Sequence, residues 1–314
     1  MLSAENQKII ILPTFEDSES TKKTIQDLIN LQEDYRFVIV EDGSIKNSIS
    51  LESLEILNAD IDLVVLHRNY GNQRAIALGL QHVYTNYPNT TVVLMDSDGE
   101  DKPEFVPVLF QRLEEGQVDV VVASRTTRES GAVFKVLYFF YKIIFRITTG
   151  KKMNFGNFSA LKPGAINHLI HKPEIWVHIG SSILSSNLRI NNIPLPRGKR
   201  HFGKSRTNTN SLIQHGIRSI NVFADRVIVR FIGLISTLLA SMSIITIIHL
   251  IHKILNSDKL ENIFLPPNWF YAWGLSCIFF SILFMGGCNR NGLTDINFEY
   301  KNAVDKTILL RKKD

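Results

Sequence analysis

Cysteine is almost missing from this chain of 314 residues: there are two, Cys277 and Cys288, too few for a disulfide framework or a thiolate metal cluster. Acidic residues are nearly absent from one region. Residues 131–226 hold 15 Lys/Arg but only Glu174 and Asp225, whereas residues 1–130 hold 11 Lys/Arg against 22 Asp/Glu. Charge vanishes altogether from residues 231–251 and 269–288, stretches of 21 and 20 residues, each long enough to cross about 30 Å of hydrocarbon. Two transmembrane helices are therefore expected. The opening "MLSAENQKIIILPTF" has too short an apolar core for a secretory leader. No Walker-type loop and no Gly-x-Gly-x-x-Gly follows the first apolar run, which removes the two commonest nucleotide-binding fingerprints.

Arg226 and Arg230 precede the first uncharged stretch, and Arg290, Lys301, Lys306, Arg311, Lys312 and Lys313 follow the second, while the connector 252–268 carries only Lys253 and Lys259. Basic residues stay on the cytoplasmic side, so the sequence predicts a multi-pass protein of the cell membrane with two spans. The amino-terminal domain and both termini are expected in the cytoplasm. Beside a membrane, the basic block 131–226 points to lipid headgroups or phosphorylated substrates and away from nucleic acid.

Short apolar, β-branched runs recur at 8–15, 37–44, 61–67, 91–98 and 118–125, as in "KIIILPTF" and "TVVLMDSD". Runs of this kind suit strands buried on both faces. Segments with apolar spacing near 3.6 separate them, at 21–31, 73–84 and 103–115. The alternation predicts an α/β fold with a mostly parallel sheet, in which ligands bind beyond the carboxyl ends of the strands. Those ends read "PTFED", "EDGS", "HRNYGN", "DSDGED" and "SRTTRES". Residues 133–148, "VFKVLYFFYKIIFRIT", place apolar side chains on one helical face and Lys135, Lys142 and Arg146 on another, the pattern of a helix lying in a membrane interface; a core helix shares that periodicity. The tail 291–314 has no readable motif.

Asp96 and Asp98 follow a predicted buried strand, and two carboxylates one residue apart suit a hard divalent ion whose other positions go to phosphate oxygens and water. An EF-hand is excluded because Gly99 comes fourth, not sixth. The loop 194–208, "PLPRGKRHFGKSRTN", gathers Arg197, Lys199, Arg200, Lys204 and Arg206 with Ser205, a cationic counterpart for a diphosphate. The same basic patch could instead touch lipid headgroups.

In this order, "LPTFED", "VEDGS", "RNYGNQRAIALGL", "MDSDGEDKPE" and "RHFGKSR" resemble the motifs of membrane-bound family 2 glycosyltransferases with a GT-A fold. The likeness is greatest to polyprenyl-phosphate sugar transferases related to dolichyl-phosphate mannose synthase, and it spans roughly residues 8–290. It implies a nucleotide-sugar-binding half at 1–130, an acceptor and membrane-interface half at 131–224, a membrane hairpin at 225–290 and a cytoplasmic tail at 291–314. It further implies that Pro13, Glu16, Asp42 and Arg74 contact the nucleotide, that Asp96 and Asp98 hold Mg²⁺ or Mn²⁺, and that Arg197, Arg200, Lys204, Ser205 and Arg206 grip phosphates. The implied activity is inverting transfer of a sugar from a nucleotide sugar to a polyprenyl phosphate, and a homo-oligomer is compatible with it.

One departure bears on chemistry. Where the family commonly reads Asp-x-Gly-Asp-Phe-Arg-Leu, this chain has "NFGNFSAL": Asn154 and Asn157 replace both aspartates and Ser159 the arginine. Candidates for a substitute base are Glu174, His178 and Asp225. A hydroxyl acceptor needs such a base, whereas a phosphate monoester, with a second pKa near about 6, is already anionic at neutral pH. The rival expectations are a transferase acting on a hydroxyl of a lipid-linked saccharide, and a catalytically weak membrane scaffold that binds nucleotide. A processive synthase is disfavoured by two spans and by the missing Gln-x-x-Arg-Trp.

Overall fold

The protein is described here by a computed structural model, which covers residues 7–125, 132–203, 209–255, 274 and 303–310. The five expected strands form: β1 (Lys8–Thr14), β2 (Tyr35–Glu41), β3 (Asp60–Leu66), β4 (Thr91–Leu94) and β5 (Val120–Arg125). The helices between them are α1 (Ser18–Ile29), the short α2 (Leu51–Glu55), α3 (Asn72–Asn86) and α4 (Val106–Glu115). Strand β4 stops at Leu94, four residues earlier than its apolar run suggests, because the "DSDGED" segment turns sharply through Gly99 at φ +84°. In the second half come α5 (Ala132–Thr149), β6 (Phe155–Leu161), α6 (Pro163–Ile170), α7 (Ile179–Ser185), β7 (Ile190–Leu195), α8 (Thr209–Asn221) and α9 (Ala224–Leu255).

The sheet has eight strands in the order β7-β5-β6-β4-β1-β2-β3-β8, the last being Val304–Leu310. It is mostly parallel, but β6 runs antiparallel between β4 and β5, and β8 runs antiparallel along β3. The tail thus contributes a strand. Its short run "VDKTILL" has too little context in sequence to be told from a loop, and only the waiting edge of β3 gives it hydrogen-bond partners. His67 donates its backbone N–H to Ala303 O at 2.9 Å, leading the chain into that pairing.

Alternate residues of each central strand feed two cores. Ile9 and Ile11 of β1 pack under α3, α6 and α7, while Ile10 and Leu12 pack under α1 and α4, the three-layer arrangement that buries a parallel sheet on both faces. Beyond that core, α5 packs against α8 and α9. Tyr141 Oη lies 2.7 Å from Ser219 Oγ, and the Phe145 and Phe223 rings meet edge-on at 5.6 Å. Phe145 and Thr149 of this helix are buried, while Phe139, Phe140, Ile144 and Ile147 are exposed. Arg230 of α9 donates to Ile147 O at 2.8 Å, where a cation meets the negative end of the helix dipole.

One helix, over Ala224–Ile248, is long and apolar enough to cross a membrane, and none of its apolar window is buried against protein. The second expected span, 269–288, lies outside the described residues except for Gly274. That residue is helical, and a Cβ built on it would stand 3.8 Å from Leu239 of α9.

Candidate active site

The polar segments after β1, β2, β4 and β7 meet at one edge of the sheet, as strand polarity requires. The backbone of the "DSDGED" turn is fixed first. Asp96 N–H donates to Asp101 Oδ2 at 3.1 Å, and Asp101 is buried, so Asp101 is a brace and not a free acid. Glu100 N–H donates to Asp98 Oδ1 at 2.9 Å. Ser97 Oγ donates to Pro13 O at 2.7 Å, tying the turn to β1.

The basic loop is docked on this turn. Gly198 N–H donates to Glu100 O at 2.8 Å and His201 N–H to Asp98 O at 2.9 Å. Arg197 pairs with Glu100. Arg200 lies 2.8 Å from Asp17 and 3.5 Å from Asp98. The His201 ring covers Gly99 so closely that a Cβ there would sit 2.4 Å from it. An open cleft of about 240 Å³ remains beside Arg200, lined by Glu16, Asp17, Ser18, Asn47 and Phe202 among others. It falls below the about 300–1,000 Å³ usual for a ligand pocket, in keeping with a loop folded down on the site.

Burial pushes the Asp98 carboxyl up to about 6, with Asp96 adding repulsion and Arg200 and Arg197 only partly opposing it. Two guanidinium groups nearby do not satisfy this acidic pair. An oxygen-only set short of positive charge fits a hard divalent cation. Among the described residues no three His, Cys, Asp or Glu side chains are grouped to hold a metal, so a cation here would need substrate and water oxygens to complete its shell.

Asp42 is held by Tyr70 N–H at 2.7 Å and Gly71 N–H at 2.8 Å. Burial nonetheless raises its carboxyl to about 6, despite those two donors and Arg74. Arg74 itself lies over the Trp176 ring at 5.2 Å. Glu16 adopts φ +53°, a conformation that costs a non-glycine residue about 1 kcal/mol. Its carboxylate is taken up by the backbone N–H groups of Ile45, Lys46 and Asn47 at 2.7 to 3.1 Å, so here it shapes the loop after β2. Lys204, Ser205 and Arg206 lie outside the described residues.

Among the described residues, no hydrogen bond or ion pair links the three candidate bases to the acidic pair. Glu174 sits in a 3-10 turn at Pro173–Trp176, Asp225 is exposed on the first turn of α9, and neither joins the hydrogen-bonded cluster. His178 caps α7: its Nδ1 accepts from Ser181 N–H at 3.0 Å and its Nε2 lies 3.1 Å from His215 Nε2. Burial, with His215 adding to it, drives its pKa down to about 3. A ring whose Nδ1 is spent on a backbone donor serves structure.

Sequence reasoning missed Asp17, Asn72, Gln73 and His201. Each stands beside a residue that was singled out, but only the fold joins them: Asn72 donates to Asp96 Oδ1 at 3.2 Å, and Gln73 donates to Asn157 Oδ1 at 3.0 Å.

Similarity to known proteins agrees with this geometry. The structure is similar to glucosyl-3-phosphoglycerate synthase from Mycobacterium tuberculosis solved with Mn²⁺, UDP-glucose and phosphoglyceric acid, at 16% identity and TM-score 0.52, over 70% of this chain and 79% of that one. It is similar to the same enzyme with Mn²⁺, UDP and its glucosylated product at 15% identity and TM-score 0.50, over the same shares. With phosphoglyceric acid alone that enzyme gives 18% identity and TM-score 0.51, again over 70% and 79%. Likeness at these identities speaks for the fold. Family comes from the sequence itself, since residues 9–169, just over half the chain, match glycosyl transferase family 2. The chain belongs to glycosyl transferase family 2.

Proposed function

We propose that this glycosyltransferase moves a sugar from a nucleotide sugar to a polyprenyl phosphate at the cytoplasmic face of a membrane. The observation that carries the reading is the half-buried Asp96–Asp98 pair after β4, short of positive charge and faced by Arg197 and Arg200. Asp96 and Asp98 would hold Mg²⁺ or Mn²⁺, the ions' chemistry being to neutralise a donor diphosphate and its leaving group. The similar synthase structures hold Mn²⁺ with UDP and the glucosylated product or with UDP-glucose and phosphoglyceric acid. On this chain Asp42, with Arg74 nearby, faces the nucleoside, and Arg200 swings from Asp98 to the diphosphate once the carboxylates have another cation. Lys204, Ser205 and Arg206 extend that phosphate grip.

An acceptor phosphate oxygen attacks the anomeric carbon as the bond from that carbon to the β-phosphate oxygen breaks. The nucleoside diphosphate leaves with the electron pair, and the configuration inverts in one displacement. No proton has to be removed, which suits a site where Asn154 and Asn157 stand in place of carboxylates.

The membrane part of the reading rests on two supports. Exposed apolar residues of α5 and α8, among them Phe139, Phe140, Ile213 and Ile217, continue into the exposed face of α9, as a surface inserted in a bilayer would. Strand β8 pairs with β3 of the catalytic sheet. A chain that leaves through α9 has to return to the same side before Val304, so the crossings, α9 included, are even in number, in keeping with a two-span hairpin and a cytoplasmic tail.

The test is to incubate purified protein in lipid nanodiscs with a panel of nucleotide sugars, Mn²⁺ and polyprenyl phosphate, reading product mass. A polyprenyl-phosphate sugar is expected, lost on chelation. Transfer only to a hydroxyl of a lipid-linked saccharide would overturn the acceptor assignment.

A further inference from the structure

Asn157 stands where relatives commonly carry an aspartate, and the fold fixes which end of its amide it offers. In the antiparallel pairing of β4 with β6, Val92 faces Leu161 and Leu94 faces Ser159; β4 ends there, so Asp96 and Asn157 both lie just beyond the last paired residues at the same end of the ladder. The first turn of α3 reaches both positions, Asn72 to Asp96 Oδ1 and Gln73 to Asn157. Ile179 N–H donates to Gln73 Oε1 at 2.8 Å. A backbone N–H has no acceptor role, so the carbonyl end of Gln73 is committed to α7 and its NH₂ end must be the one facing Asn157. Asn157 therefore turns its carbonyl oxygen to Gln73 and its NH₂ group away. That NH₂ group has no partner among the described residues, and although Asn157 is only 8% exposed, it is not among the side-chain atoms sealed from solvent without a partner.

We propose that Asn157 Nδ2 donates a hydrogen bond to the nucleophilic oxygen of an anionic phosphate acceptor, and that Gln73 is the positioning residue that keeps the donor end forward. The proposal rests on the functional reading above and adds how the acceptor class is selected. A carboxylate at 157 would accept from Gln73 equally well but would add a negative charge beside the first turn of α3, whose Asn72 already bonds Asp96. The arginine that relatives carry two residues on would offset it, and here that position is Ser159, fully buried and bonded through Oγ to Asn157 O at 2.8 Å. An amide in this place attracts an anionic nucleophile and has no means to deprotonate a neutral one.

The experiment uses the full chain in nanodiscs with Mn²⁺ and the donor found active, comparing polyprenyl phosphate, soluble 3-phosphoglycerate and polyprenol as acceptors. Two variants are compared with the parent: Asn157→Asp, and Gln73→Glu, which still accepts from Ile179 N–H but offers Asn157 no donor, so that the amide reverses. Both are expected to raise KM for the phosphate acceptor at least tenfold while the donor KM stays within twofold. A purely structural role would instead lower the unfolding midpoint and move both KM values together. Acceptor KM within twofold in both variants, with a parent active on polyprenyl phosphate, overturns the role of Asn157 and leaves the proposed function standing. Activity on 3-phosphoglycerate alone, with the KM effect present, supports Asn157 and overturns the lipid acceptor. Parent activity on polyprenol alone overturns both.

Discussion

Two aspartates of this protein sit at opposite ends of β3 and β4, strands that follow one another in the chain, and live under opposite rules. Asp62, near the start of β3, is fully buried and wholly served: Arg36 Nη1 at 3.2 Å, His82 Nε2 at 2.9 Å and Tyr87 Oη at 2.6 Å all point at it. Asp98, past the end of β4, is also largely buried, yet its nearest carboxylate repels it and its arginine stands at 3.5 Å. The first cluster completes itself; the second is left waiting for something from outside. Charge at a strand end is therefore no mark of function by itself. What marks it is a charge that the fold has buried and not balanced.

The sharpest way to break this contrast is Asp98→Asn. Loss of a carboxylate needed for the diphosphate-bound cation should lower transfer at least a thousandfold, measured as product formed per minute at saturating donor. The folded protein should suffer nothing. Asp98 has a folded pKa raised to about 6, so its share of stability is present at low pH and is lost as pH rises through about 4 to 6. Removing the charge should therefore stabilise the metal-free protein at pH 7 by about 1–2 kcal/mol, after discounting for its partial exposure. A lowered unfolding midpoint would show that Asp98 is as well served as Asp62.

Much of this was legible in advance, for physical reasons that differ by region. The strands β1 to β5 announce themselves because a strand buried on both faces must be apolar throughout, and the polar ends of "VVLMDSDGED" or "VIVEDGS" follow from the chain leaving the sheet. Asp96 and Asp98 were readable as a pair because their spacing is local. The antiparallel β6 was not, since "FGNFSAL" looks the same in either direction, and direction is decided by the connection through α5. Strand β8 owes its existence to an edge more than two hundred residues earlier. The roles of Gln73 and Asp101 were hidden for the same reason, being set by partners on other elements. Glu16 shows the limit of carrying roles by motif, because its carboxylate is committed to Ile45, Lys46 and Asn47.

The reciprocal change, Asp62→Ala, should reverse the outcome. It leaves Arg36 with Asp60 alone and takes the shared acceptor from His82 and Tyr87, and a broken buried ion pair costs about 3–5 kcal/mol. Chemical denaturation should show that loss, while the donor KM of the fraction that remains folded is expected to stay within twofold. If Asp62→Ala cost no more stability than a surface substitution, the idea of a self-completed cluster would fail.

A smaller effect is expected at His178, which belongs to the self-completed kind. Its folded pKa is lowered to about 3 from an ordinary value near 6.5. Its stability is thus present above about 6.5 and is lost as pH falls toward 3, while the unfolded chain takes up the proton first. The loss is on the order of a few kcal/mol. His215 and Arg218 face it and add to the penalty. Asn in its place keeps an acceptor for Ser181 N–H, so His178→Asn should flatten the unfolding midpoint between pH 6.5 and 4. An unchanged slope would mean that the His178–His215 contact opens readily to water.

The gentlest test touches the lid over the unbalanced pair. Gly99 combines φ +84° with the His201 ring 2.4 Å from where a Cβ would stand, so Gly99→Ala strains the turn and pushes against the docked loop together. A left-handed alanine alone costs about 1–2 kcal/mol, and His201, being a side chain on a surface loop, can retreat. The expected result is a loss of about 1–2 kcal/mol in stability and faster proteolytic cleavage near residues 197–203, with the donor KM changed because Arg200 rides on that loop. Adding Gly at 201 separates the two causes. His201→Gly combined with Gly99→Ala should restore the protease resistance of the loop if the ring contact dominates, and should leave it low if the strain lies in the backbone of the turn.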